Sequence, residues 1–295
     1  MQALWMVVSA LLFAFYAVCV KYASLEGIGS FEVLFYRSVF GLVLISLLLK
    51  HRKITIRTKH PLAHAVRAGI GTVACIAGIY AISKLNIGLA MTLNYTSPLF
   101  IGCFTIGAAW LAKRPVNWRL ISTLVVGFIG VVVLLSPTIA PHEYAYAGVG
   151  LSAGFCTAIA VSYVKRLANY HEPELRILFY FVLIGAIAGL IGSLVQNGFT
   201  TPTWHAALFI LGFSIFVNAA QMCLTRAFSR GNVVLSGALQ YTVILFSTLL
   251  GEIIFDEPAT PSIILGMLMI VFAGIAASYF TRQEIIKNQQ SRTAS

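Results

Sequence analysis

The sequence predicts an all-α integral membrane protein of ten transmembrane helices, built as two inverted five-helix repeats. Three observations carry this prediction: an apolar composition, a recurring run length, and an octamer spelled twice. Hydrophobic residues make up 59% of the 295 and charged residues only 10%, with a mean hydropathy of +0.89. Soluble domains carry about 25% charged residues. Apolar runs near the roughly 20 residues needed to cross the hydrocarbon core lie at about 3–22, 31–49, 66–83, 88–111, 118–135, 146–164, 176–195, 204–226, 232–254 and 261–280. The octamer LNYTSPLF (93–100) returns as LQYTVILF (239–246).

Taken in order, the first run lacks a basic segment ahead of it and exceeds a signal-peptide core, so it is expected to be a span. It carries Ser9 and Tyr16. The second run places Arg37 six residues in, about 9 Å along a helix axis. The third offers Tyr80, and the fourth holds Thr92, Asn94, Tyr95, Thr96 and Ser97 ahead of Pro98. A proline deep in a span lacks an N–H, so Pro98 should kink that helix or free a carbonyl near the midplane. The fifth run is apolar beyond Thr123. The sixth and seventh contain GLSAG (150–154) and GAIAG (185–189), whose spacing of small residues permits close helix approach. In the eighth, Asn218, Gln221 and Thr225 share one face. The ninth carries Ser236, Gln240, Tyr241, Thr242, Ser247 and, near its end, Glu252; the tenth is again apolar.

The net charge of +11 would suit nucleic acid, but its distribution fits a bilayer. With the N-terminus in the cytoplasm, 17 of the 20 Lys and Arg fall on inner loops and the inner tail, leaving only Lys21, Arg37 and Lys84 toward the outside. That is the positive-inside bias, and it predicts both termini in the cytoplasm of a bacterial inner membrane. The five cysteines sit inside spans without a CxxC pair and are expected as small buried side chains. The six histidines lie in loops or at span ends, which disfavours a haem or metal path. HEPEL (171–175) and HEYAY (142–146) are not HExxH, and neither GxSxG nor a Walker A loop occurs, so no enzyme or ATP-driven pump is expected.

Self-similarity extends beyond the octamer. At the offset of 146, Ala74, Ala81, Ser83, Asn86 and Leu89 recur as Ala220, Ala227, Ser229, Asn232 and Leu235. Offsets of 143 and 144 align Ser9-Ala10 with Ser152-Ala153 and Phe35-Tyr36 with Phe179-Tyr180. A three-residue slip sets Pro115 of LAKRPVNW against Pro258 of FDEPATP. The expected division is 1–140 and 141–295. Each half has five spans, an odd number, so the second enters the membrane in the opposite sense. Inverted repeats of this kind mark secondary transporters with a midplane substrate site.

The five-plus-five repeat, AISKLNIGLAMTLNYTSPLF (81–100) and GEIIFDEPATPSIILGMLMIVFAG (251–274) together resemble the drug/metabolite transporter superfamily, EamA type. The resemblance covers the whole chain and implies transport of a small organic metabolite, with export of amino acid-like, amphipathic or chelating compounds as the preferred reading. Import of a vitamin or nucleoside-like cofactor is the alternative, and a non-transporting binding or scaffold protein the rival from another class. One position departs from the family pattern: Glu257 precedes Pro258, but Arg114 precedes Pro115.

Polar side chains inside hydrocarbon need partners or a wet cavity. Asn94, Tyr95, Gln240 and Tyr241 are therefore the expected lining of the substrate site, with Asn218, Gln221, Tyr80 and Tyr16 as further candidates. The competing role for each is an interhelical tie. Arg37 is read as a charge anchor and Glu252 as a proton-coupling switch, weighed against snorkelling or pairing with each other or with Glu32. Expected partners are the bilayer and a small-molecule substrate, without cofactor or nucleic acid; oligomeric state is left open.

Overall fold

The computed structural model describes residues 2–111, 118–135, 143–196, 198–230, 239–258 and 260–293. Arg114, Pro115 and Ser236 lie outside these, as does the side chain of Thr225. Among the described residues there are helices and no strands. The helices are α1 (Gln2–Leu25), α2 (Ser30–His51), α3 (Pro61–Lys84), α4 (Ile87–Asn94), α5 (Ser97–Leu111), α6 (Trp118–Leu135), α7 (Tyr144–Asn169), α8 (Glu174–Gln196), α9 (Trp204–Arg230), α10 (Thr242–Phe255) and α11 (Pro261–Thr293). Eight segments are long and apolar enough to cross a membrane, with α4 and α5 together forming one of them, Ile87–Leu111. Two shorter apolar helices, Trp118–Leu134 and Thr242–Phe255, complete the set.

Local chemistry sets several boundaries. Gly27, at φ 88°, turns the chain after α1. Glu32 then reaches back from the first turn of α2 to accept the Gly29 N–H at 3.2 Å, satisfying a donor that the helix itself cannot. Pro61 opens α3, where its missing N–H costs nothing. This start lies five residues ahead of the apolar run expected at 66–83, because the first turn and a half, PLAHA, is only moderately apolar. The Asn86 side chain caps α4 by accepting from Gly88 N at 3.1 Å. Asp256, in the left-handed conformation at φ 52°, ends α10.

The bundle is assembled from long-range helix pairs. Helix α1 packs on α9, α3 on α7, α2 on α8, α6 on α11, and α4 on α10. Small residues make these approaches possible. A methyl group on Gly189 would stand 2.6 Å from Phe35 N, so α8 rests directly on the α2 backbone. Gly266 does the same against Leu134 in the α6–α11 pair. The interior is rich in alanine and β-branched or leucine side chains, including Ala14, Ala17, Ala81, Leu93 and Ala220, while Val43, Leu47, Leu194, Val195, Ile253 and Phe272 point outward. An apolar exterior over a small-residue interior is the packing a bilayer solvent favours.

Candidate functional site

Both octamers interrupt a helix at the same place. The fourth apolar run is not one helix: α4 ends at Asn94, Tyr95 and Thr96 form a turn, and α5 begins at Ser97. Pro98 sits in the first turn of α5, where a proline is tolerated, so the expected kink is a full break. In the second octamer Tyr241 is the turn residue and α10 begins at Thr242. No proline stands there. The shared device is threonine: Thr96 Oγ1 donates to Leu93 O at 2.6 Å, and Thr242 Oγ1 donates to Leu239 O at 2.7 Å. A hydroxyl bonded three residues back competes with the helical N–H and favours ending the helix.

The break in the first octamer is covered by α7. Gly154 packs against Thr96 Oγ1, Leu93 O and Asn94 O, and Gly150 against Leu93 and Ala81. The two octamers touch, because the Tyr95 hydroxyl lies within hydrogen-bonding reach of the Gln240 side chain. Asn94 lays its amide over Gly78 of α3. Tyr241 is turned elsewhere. It is buried, its hydroxyl presses on Gly274 of α11, and that hydroxyl has no hydrogen-bond partner among the described residues. Tyr80 stands edge-on to Tyr146 with ring centroids 5.8 Å apart.

A second polar cluster joins α1, α2, α3 and α9. Arg37 is only 9% exposed. Its Nη1 donates to the Tyr16 hydroxyl at 3.2 Å, the guanidinium lies 5.6 Å from the Tyr16 ring centroid, and Cys75 is within hydrogen-bonding reach. Asn218 donates to Ser214 O at 2.8 Å and, more weakly, to Arg37 O at 3.5 Å. Arg37, Asn218 and Gln221 line a cavity of about 30 Å³, room for about one water. Arg37 thus neither snorkels outward nor pairs with Glu32 or Glu252. Glu32 is occupied by Thr200 N at 3.0 Å and Thr200 Oγ1 at 2.9 Å, and Glu252 is exposed on α10.

Charged ties hold the two ends of the bundle. At one end Lys21 pairs with Glu257 and donates to Leu85 O at 2.9 Å, while Glu257 accepts from Ile87 N at 2.8 Å. At the other end Glu172 accepts from Thr58 Oγ1 at 2.5 Å and from Arg176 Nη1 at 2.5 Å, and His64 Nε2 lies 3.5 Å away. Arg176 Nε also donates to Thr55 O at 2.8 Å. Burial pushes the Glu172 carboxyl up, but the hydrogen bonds from Thr58 and Arg176, with the charges of Arg176 and His64, outweigh it. The net result holds this carboxyl below its ordinary 4.5.

A sequence model of the EamA-like transporter family matches residues 1–136 and again 145–280. The chain belongs to the EamA-like transporter family. It is an integral membrane transporter and not an enzyme. A pseudopaline exporter of Pseudomonas aeruginosa is 28% identical over 252 residues, 84% of this chain and 85% of the relative. An S-adenosylmethionine uptake transporter of Rickettsia bellii is 25% identical, covering 88% of this chain and 87% of its own. A riboflavin transporter of Rhizobium johnstonii is 27% identical, covering 92% and 89%. A crystal structure at 16% identity superposes with a TM-score of 0.67, covering 96% of this chain and 99% of that one, and so shares the fold.

For this EamA-like transporter, sequence reasoning grouped the polar candidates by helix, and the structure regroups them. Tyr95 and Gln240 meet between the octamers; Tyr16, Arg37, Asn218 and Gln221 gather at the second cluster; Asn94, Tyr80, Tyr241 and Glu252 join neither contact. Three features went unread. Lys21–Glu257 joins residues 236 positions apart, which no local pattern signals. Glu172 lay in HEPEL, inspected only for metal spacing. Arg67 was counted with the inner-loop cations; reading Pro61 as a helix start would have placed it nearly two turns inside α3.

Proposed function

We propose that the protein is a secondary active transporter exporting a small organic metabolite, by alternating access between two inverted five-helix halves, residues 1–140 and 141–295. The observation that carries this reading is the reciprocal packing. Exchanging the halves turns the α1–α9 pair into the α7–α3 pair, and returns α2–α8 and α6–α11 to themselves. That is the contact pattern expected of a pseudo-two-fold axis. The doubled family match and the two helix breaks, 146 residues apart, support it further.

In this reading ten spans put both termini in the cytoplasm, and the paired octamers form the midplane site. The Lys21–Glu257 tie closes the outer end and the Glu172 cluster the inner end. Each hydrogen bond in such a tie contributes about 0.5–1.5 kcal/mol net, so one end can open while the other holds. Proton coupling through Glu252 belongs to the same reading; Glu252→Gln with an unchanged pH dependence of transport removes it.

The exporter relative supports export of an amino acid-like, amphipathic or chelating compound. The S-adenosylmethionine uptake relative supports a second reading, import of a cofactor-like solute. The deciding experiment is untargeted mass spectrometry of medium and cytosol from cells overproducing the protein, with Tyr95→Ala/Gln240→Ala as control. A compound enriched in the medium only with the unaltered protein supports export; enrichment inside the cells reverses the direction. No difference, with the protein correctly inserted in a host supplied with candidate metabolites, counts against transport.

A further inference from the structure

Arg67 is a half-buried cation that no tie described above uses. It sits in the second turn of α3. An arginine there would ordinarily snorkel toward the near end of its own helix. Instead Nη1 lies over Gly71, one turn deeper, where a methyl group would be 2.8 Å from it. The guanidinium stacks on Phe181 of α8, 4.2 Å from the ring centroid. Its Nε and Nη1 are buried without a hydrogen-bond partner. Phe181 is also a wall of the cavity that Arg37, Asn218 and Gln221 line.

Arg37 is the second such cation. Its described partners are the Tyr16 hydroxyl and Cys75, neither of them a carboxylate. Cys75, on α3, lies within electrostatic reach of both arginines. Among the described residues no carboxylate lies within ion-pair distance of either guanidinium. A charge inside a span is costly, and buried donors left without a partner add to that cost. Arg37 on the cavity wall and Arg67 behind the Phe181 ring, with no carboxylate paired to either among the described residues, describe a site awaiting an external anion.

We propose that Arg37 and Arg67 form an anion-binding subsite between α2, α3, α8 and α9, and that the transported solute is an organic acid held there by carboxylate groups. This rests on the transport reading above and narrows its substrate class. Guanidinium donors match a carboxylate in a two-point fork; Asn218 and Gln221 offer hydrogen bonds to the rest of the solute. A cavity of about 30 Å³ cannot hold an organic acid, so the subsite loads when α2 and α8 part and Phe181 swings from between the two cations.

Cys75 serves as a reporter that needs no knowledge of the solute. In a variant with Cys19, Cys103, Cys156 and Cys223 replaced by alanine, reconstituted in liposomes, Cys75 is exposed to two thiol reagents. One is anionic (sulfonatoethyl methanethiosulfonate) and one cationic (its trimethylammonium analogue). Normalised to their rates on free mercaptoethanol, the anionic reagent should react about tenfold faster or more, as expected for two nearby cations of low exposure. Arg37→Gln and Arg67→Gln should each cut that preference, while Arg37→Lys and Arg67→Lys, which keep the charge, should largely retain it and control for folding. Succinate should slow the labelling and succinamide should not. Equal rates for the two reagents, no labelling of Cys75 by either, or protection by inorganic phosphate but not succinate would each overturn the proposal. Anion preference without any solute movement sinks the transport reading alone. Solute movement without anion preference sinks the subsite alone.

Discussion

Gly154→Ala tests the contact between α7 and the broken α4–α5 helix. The added methyl would stand 2.8 Å from Leu93 O and 3.3 Å from Asn94 O, with Thr96 Oγ1 closer still. The threonine cannot rotate away without giving up its bond to Leu93 O. Ordinary contact begins at 3.4 Å, so α7 must retreat by at least about 0.6 Å, and overpacking of this kind costs about 1–3 kcal/mol. Gly148→Ala on the same helix is the control, because nothing lies within 4 Å of its added methyl. Both substitutions gain the same helix propensity, about 0.5–1 kcal/mol, so their difference isolates the clash. Heating the detergent-purified variants and measuring the monodisperse fraction ranks them. Gly154→Ala should melt several degrees below Gly148→Ala, about 2–10 °C for a chain of this size. Equal midpoints, or a higher one for Gly154→Ala, would refute close seating of α7 on the break.

Other consequences follow from the same contacts. Lys21→Met and Glu257→Gln each strand a mostly buried partner, and each should destabilise by roughly 2–4 kcal/mol. The double variant should lose less than the sum, and additive losses in a thermal-melt cycle would argue against the pair. Glu172 has a folded pKa below its ordinary value, so its stabilisation is present above about pH 4.5 and is lost as pH falls through the depressed folded pKa. Glu172→Gln should therefore be less stable than the parent at pH 7, by about 1–3 kcal/mol, with the gap closing in acid; a gap that persists at low pH contradicts this. Thr96→Val with Thr242→Val removes both hydroxyls that end the helices at the octamers. Transport rate should fall at least several-fold while insertion and expression stay normal, and an unchanged rate would mean that the turns persist without them.

Much of the helix plan was legible because it depends on local chemistry. Apolar runs of about 20 residues locate spans whatever their neighbours. The YT dipeptide common to both octamers carries the hydroxyl that interrupts each helix, although the sequence reading credited Pro98 instead. The α3 start was misjudged because PLAHA is not apolar enough to count as membrane by hydropathy, yet Pro61 is a good first helical residue. That error set Arg67 at the edge of its span instead of nearly two turns inside α3. The polar candidates were found because any polar residue within a span needs a reason to be there.

Composition and periodicity alone determined that this chain lives in a bilayer as helices, since 59% apolar residues in span-length runs leave no other way to satisfy the backbone. They also placed polar groups at matching depths of two related segments. Which way those groups point was decided only by tertiary packing. Tyr95 meets Gln240 while the equivalent Tyr241 turns to Gly274, because α4 and α10 have different neighbours. Arg67 folds back over Gly71 rather than toward the helix start because Phe181 of α8 offers a ring to stack on. Lys21 finds Glu257 only after α1 and α10 are side by side. A side chain's helix is set by its neighbours in sequence, but its partner is set by whichever helix the packing brings within a few ångströms.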